Sequence, residues 1–213
     1  MAIYDTEEEQ LEQLKKWWAS NNSALIAGVI GSIVLVAGFN AWQGHQLEQR
    51  SQASDLYQNL LDASAANNIE SVEALAGRLS NEYGKTAYSH YAALELAKVK
   101  VAKGEFDTAK AIFEKEIRNA DTELQHLSRL RLIQLLLETK QYEQGLKLIA
   151  EIDPSKVEGF SANYDELQGD LYLGLERYDE ARNAYQSAIR SGQATPLVQF
   201  KLDDLTASTL LKP

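Results

Sequence analysis

The chain has 213 residues, 45% hydrophobic and 24% charged, with a formal net charge of −10. That acidity repels phosphate backbones and argues against nucleic acid as a partner. There is no cysteine, so disulfides and thiolate metal sites are excluded.

Residues 1–22 read as a short amphipathic tail. Asp5 or Thr6 would cap a helix whose first turn is acidic, and Leu11, Leu14, Trp17 and Trp18 give it an apolar side. Lys15 and Lys16 sit just before the two tryptophans, and an uncharged apolar run follows. That run, Ala24 to Ala41, is eighteen residues long with only Ser32 and Asn40 polar. As a helix it would be about 27 Å long, close to the ~30 Å hydrocarbon core of a bilayer. Trp17, Trp18 and Trp42 are all the tryptophans in the chain, and they flank the run on both sides, where an apolar ring with a polar N–H suits the lipid interface. The pattern predicts a transmembrane helix at 23–43 in contact with the lipid bilayer. A buried core helix is the alternative, but no other run of this kind exists in the chain. A cleaved signal peptide fits less well: the preceding region is acidic and long, and no small-x-small cleavage site follows.

Beyond the span the first Lys or Arg is Arg50, accompanied by Glu48. The basic bias at Lys15 and Lys16 predicts a cytoplasmic tail at 1–22 and a large domain, 44–213, across the membrane. Within the span Ala24, Gly28 and Ser32 recur every four residues, with Ala27 and Gly31 beside them. Small residues allow close approach of a second helix, although Gly and Ala are also common in membrane helices generally.

After Trp42 the pattern is helical almost throughout, and Leu47 to Ala63 extends the membrane helix outward. Three segments then align without gaps: Lys103–Ala109, Thr139–Gly145 and Leu175–Ala181. The small residues Ala109, Gly145 and Ala181 fall 36 apart, each three residues after an aromatic (Phe106, Tyr142, Tyr178). A bulky residue follows four positions on: Phe113, Ile149 or Tyr185. In the last unit Gly169, Tyr172 and Ala188 complete the pattern. The arrangement resembles the tetratricopeptide repeat, in which paired antiparallel helices meet at small residues and aromatics fill the layer between. Units are expected near 66–85 (degenerate), 90–122, 126–158 and 161–194, with a capping helix at 196–211 opened by Thr195-Pro196. The expected fold is all-α: one amino-terminal transmembrane helix, then a tetratricopeptide-like α-solenoid.

The repeat register implies a concave groove lined by Leu94 and Lys98, Leu130 and Gln134, and Glu166 and Asp170, with a slip of one residue allowed in the weak middle unit. Residues 151–204 hold 11 acidic and five basic residues, so the groove would grade from mixed to acidic and suit a peptide with apolar and basic side chains. Ordinary solvated positions are the alternative. No catalytic set is found. His45, His90 and His126 lie far apart, no phosphate-cradling Gly-rich loop precedes a helix, and no cofactor site is expected. The reading is therefore of a protein that is not an enzyme.

The opening of the chain adds a more specific likeness. The Met-x-Ile-Tyr start, the Glu7-Glu8-Glu9-Gln10 run, Lys15-Lys16 before Trp17-Trp18, Ala24-Leu25 at the start of the span, His45-Gln46 after it, and the repeats resemble the YfgM family of bacterial inner-membrane proteins. That resemblance implies a type II anchor with a periplasmic repeat domain. It implies association with the SecYEG translocon and with a PpiD-type membrane-anchored periplasmic chaperone, assisting newly translocated proteins. A link between the cytoplasmic tail and an Rcs-type stress regulator is also implied. The family supplies no catalytic residues. From the residues alone, an envelope-assembly or division scaffold and an independent holdase chaperone stay open.

Overall fold

The first proline is Pro154, so only local turns can end a helix in the earlier part of the chain. Helix α1 accordingly runs from Glu7 to Ala65 in the computed structural model, which describes residues 7–157 and 159–210, with side chains for 9–157 and 159–205. The tail is not a separate short helix: its described residues are the first turns of α1, because no Gly or Pro lies between Glu7 and Ala27. The expected caps Asp5 and Thr6 lie outside the described residues. Among the described residues eight further α-helices follow: α2 (Ile69–Glu82), α3 (Ala87–Ala102), α4 (Phe106–Asn119), α5 (Thr122–Glu138), α6 (Tyr142–Ala150), α7 (Ser161–Gly174), α8 (Tyr178–Arg190) and α9 (Pro196–Leu210). A short 3₁₀ turn, Pro154–Lys156, lies between α6 and α7, opened by Asp153 accepting from the Ser155 N–H at 3.0 Å.

The chain divides into two compact units, Met1–Gln52 and Ala53–Pro213. In the first, every residue from Ala24 to Ala41 is exposed, Leu35 to 74%. A core helix would be covered by its neighbours, so that alternative falls. The helix is long and apolar enough to cross a membrane.

The second unit is a series of helical hairpins with one turn geometry. Glu105, Gln141 and Arg177 each donate their N–H to a carbonyl five residues back, on Lys100, Leu136 and Tyr172, at 2.9, 2.7 and 2.9 Å. The residue before each is left-handed: Gly104 (φ 77°), Lys140 (φ 58°) and Glu176 (φ 59°). This is the helix-ending motif in which a left-handed residue lets the chain reverse while orphan carbonyls stay satisfied. The three turns are spaced by 36, so no slip occurs in the middle unit. The same turn occurs once earlier. Asn68 donates to the Ala63 carbonyl at 2.9 Å, and Asn67 has φ 53°. The expected first unit near 66–85 therefore holds only its second helix, α2. Its first helix is the end of α1, whose Leu60 and Ala53 are fully buried with Val72 and Leu79 of α2.

Packing follows the small-against-large scheme in the later repeats. Gly169 of α7 lies under the Tyr185 ring of α8, Gly145 of α6 against Leu171, and Gly174 against Tyr142. Tyr185 is fully buried, an apolar gain of about 2–3 kcal/mol. In the earlier repeats a different pairing fills the same layer: Ala97 and Ala109 pack with Phe113, Leu132 and Leu136. Val198 and Leu205 of α9 close the stack over Ala181, Tyr185 and Ala188.

Candidate functional site

The first helices of successive repeats, α3, α5 and α7, present equivalent positions every 36 residues. Leu94, Leu130 and Glu166 occupy one such row, and Lys98, Gln134 and Asp170 the next. All six expected groove residues line one or both of two hollows. The first, about 530 Å³, takes Leu94, Lys98 and Gln134 together with Leu127, Arg131 and Glu138. Tyr57 from the end of α1, Tyr91 of α3 and Phe113 of α4 complete its apolar lining. The second, about 420 Å³, takes Leu130, Gln134, Glu166 and Asp170, with Asn163 and Lys201. Gln134 and Glu138 border both hollows, so the two form one trough across α3, α5 and α7.

Three of the expected residues, Leu130, Glu166 and Asp170, differ in role from their sequence reading. Leu130 is only 8% exposed and packs with Ile133, Tyr164 and Leu171, so most of it is core. The acidic end of the trough is not open charge. Lys201 of α9 donates to Glu166 Oε1 at 2.8 Å and to both Asp170 oxygens at 2.8 and 2.7 Å. Tyr185 donates its hydroxyl to the same Asp170 at 2.7 Å. Burial alone would lower the Lys201 amine, but Asp170 and Glu166 outweigh it and hold it above its usual range. Burial, then Asp170 and Glu166, push the Tyr185 phenol up. The trough therefore grades from mixed charge to an internally paired patch in which one amine answers two carboxylates.

The first hollow has its own polar arrangement. Glu95 accepts from Lys98 at 2.8 Å and from Ser64 of α1 at 2.5 Å. Burial would raise the Glu95 carboxyl, yet Lys98 and Ser64 hold it below the usual carboxylate range. Tyr57 lies 5.8 Å from Tyr88 and 6.0 Å from Tyr91, ring centre to ring centre. Burial, Glu95 and Tyr91 raise its phenol. Tyr91, Leu127, Arg131 and Glu138 were within reach of sequence reading, because each falls three or four residues from a groove position on the same helical face. Tyr57 and Lys201 carried no such signal, since they come from helices outside the α3, α5, α7 series.

Two of the three histidines, His90 and His126, tie helices together. His126 is buried, stacks on Phe160 at 5.1 Å, and joins Tyr164 Oη and the Lys156 carbonyl at 2.9 Å each. His90 pairs with the buried Glu116 across α3 and α4 at 2.5 Å. His45 is exposed on α1, and among the described residues no group of His, Asp or Glu is arranged to hold a metal ion. The small-residue set Ala24, Ala27, Gly28, Gly31 and Ser32 belongs to the first unit and is exposed. A Cβ on Gly28 or Gly31 would meet no atom within 4 Å, and Ser32 donates to the Gly28 carbonyl of its own helix at 2.8 Å.

This geometry has known counterparts. Residues 15–207 match the family described as the tetratricopeptide repeat-like domain. The chain is 31% identical over 211 residues to a protein of Escherichia coli (strain K12) named ancillary SecYEG translocon subunit, covering 97% of this chain and 100% of that one. The chain belongs to the family of ancillary SecYEG translocon subunits. Members of the same name from Haemophilus influenzae and Neisseria gonorrhoeae are 29% and 25% identical, each over 96% of this chain and 100% of the relative. The family likeness thus takes in both the apolar helix and the repeats. Among solved structures, MamA (41 to end) from Desulfovibrio magneticus RS-1 superposes with a TM-score of 0.55 at 16% identity, covering 76% of this chain and 85% of that one. That likeness is of fold.

Proposed function

We propose that this protein is a non-catalytic interaction module anchored in the bacterial inner membrane beside the SecYEG translocon. Its repeat domain works in the periplasm with a membrane-anchored chaperone on newly translocated proteins. The observation that carries the reading is full-length similarity to ancillary translocon subunits, with the apolar helix included. Lys15 and Lys16 before that helix favour a cytoplasmic tail and a periplasmic domain. The trough bordered by Leu94, Lys98, Gln134, Glu166 and Asp170 offers the surface for a partner segment. The open faces of Gly28 and Gly31 offer a second surface, for a partner helix within the bilayer.

The test is a pull-down of the full chain from mildly solubilised membranes, read by mass spectrometry. Three forms are compared: the native chain, one with Ala24–Ala41 replaced by a neutral Leu/Ala helix, and one with Gly28→Ile and Gly31→Ile. We expect translocon subunits and a periplasmic chaperone with the native chain and fewer of them with the Ile variant. Equal recovery with the Ile variant would assign the contact to the repeat domain. Recovery of envelope-assembly proteins in place of the translocon would overturn the reading.

A further inference from the structure

The first hollow of the trough is apolar but bordered by two charges that the fold leaves unanswered. Leu94, Leu127 and Phe113 line it together with the Tyr57 and Tyr91 rings. Of its charged neighbours, Glu95 and Lys98 answer each other at 2.8 Å. Arg131 does not pair with a carboxylate among the described residues; its guanidinium donates to the neutral Gln134 at 3.0 Å. Glu138 is exposed and, although it borders the same hollow as Lys98 and Arg131, forms no ion pair among the described residues. It also ends α5, whose last turn has no basic residue. Its carboxylate therefore leaves a place for a cation at the border of the hollow.

The next repeat shows how such a need is met. There Lys201 seats its amine between Glu166 and Asp170, and Asp170 is the residue equivalent to Gln134. An apolar stem with a cationic end is thus a group this trough accommodates. Around the first hollow no segment of the chain plays that part among the described residues.

Arg131 and Glu138 are seven residues apart on α5, two turns, so their Cα atoms lie about 10.5 Å apart along the axis. We propose that the first hollow takes a segment of a partner protein in the extended, three-residues-per-turn polyproline-II form: an apolar side chain seated between α3 and α5, an acidic residue against Arg131, and a basic residue three positions away, on the same face, against Glu138. This rests on the interaction-module reading and adds the chemistry of the partner.

The test uses fluorescein-labelled peptides and the full chain in lipid nanodiscs, with binding read by anisotropy against empty nanodiscs. The probes are Gly-Asp-Leu-Phe-Lys-Gly and its two like-charged versions, with Asp at both charged positions or Lys at both. Exposed ion pairs each change affinity only a few-fold, so the native chain should prefer the mixed peptide by about threefold or more. Arg131→Glu should move the preference to the two-Lys peptide, and Glu138→Lys to the two-Asp peptide. Replacing Leu-Phe by Ser-Ser should abolish binding in every case. Both substituted residues are exposed, and an unchanged circular dichroism spectrum confirms that the fold is kept. Absence of binding, or a preference that neither substitution moves, overturns the inference. The native chain in the membrane pull-down separates the two claims. Recovery of the translocon with no peptide preference removes this inference alone; no recovery removes the functional reading beneath it.

Discussion

Lys201→Met removes the amine that holds α9 onto α7 while keeping an unbranched apolar stem to pack. Lys201 is 25% exposed at the side chain, Glu166 18% and Asp170 17%. Removing one partner of a fully buried pair costs about 3–5 kcal/mol, and an exposed pair is worth about 1 at most. Partial exposure on both sides places this site between them, at roughly 2 kcal/mol, because two carboxylates are left close together without a cation. For a domain of this size that is a melting shift of about 4–8 °C. The effect belongs to neutral pH. The amine's folded value is raised, so its stabilisation is full below the ordinary lysine value of 10.5 and fades as pH rises through the folded one. Thermal melts of the full chain in detergent, followed at 222 nm, would measure it. Amide exchange should rise first in α9, the terminal element of the stack. Glu166→Gln with Asp170→Asn in the Lys201→Met background should recover most of the loss. A melting point within 1 °C of the native chain, or no recovery in the triple variant, would refute the account.

The hairpin turns give a second prediction: Lys140→Gly and Glu176→Gly should each stabilise by about 0.5–1 kcal/mol, and Gly104→Ala should cost about 1, because all three positions are left-handed. Chemical denaturation of the three variants checks the sign at each site. Gly169→Ala should destabilise by about 1–3 kcal/mol, since the new Cβ would overlap the buried Tyr185 ring, and Tyr185→Leu in the same background should return part of it. Glu95 sets an acid limit. Its folded value is lowered, so its contribution is present above the ordinary 4.5 and is lost as pH falls through the folded value. Lys98→Met should make the acid limb of a pH-melting curve shallower, and an unchanged limb would show that Lys98 does not hold that carboxylate.

The repeats were legible because a fixed spacing of small and aromatic residues has one physical meaning: a layer of helices meeting at the same points. Ala109, Gly145 and Ala181 mark that spacing, and the turns at Gly104, Lys140 and Glu176 repeat it in the backbone. The first hairpin escaped the pattern for a packing reason. Its equivalent positions hold Leu60 and Val72, branched residues that fill the layer themselves and need no small-residue mark. Its first helix was also hidden inside α1, since the stretch before Ala65 contains no breaker to announce a new element.

The groove shows where periodicity stops being informative. Leu94, Lys98, Gln134, Glu166 and Asp170 could be placed because a helical face is a local property, fixed by turns of 3.6 residues. What lies opposite a face is set by chain crossings. Glu166 and Asp170 read as an open acidic end until Lys201, 35 and 31 residues away, is placed between them. The same crossing leaves Arg131 and Glu138 as the charges the trough still presents, at positions a composition count cannot distinguish from any solvated pair. An acidic total over residues 151–204 therefore says little about the trough's selectivity. That depends on which charges the fold has already answered, and in this chain those left over lie in the middle repeat, whose sequence is the least regular of the three.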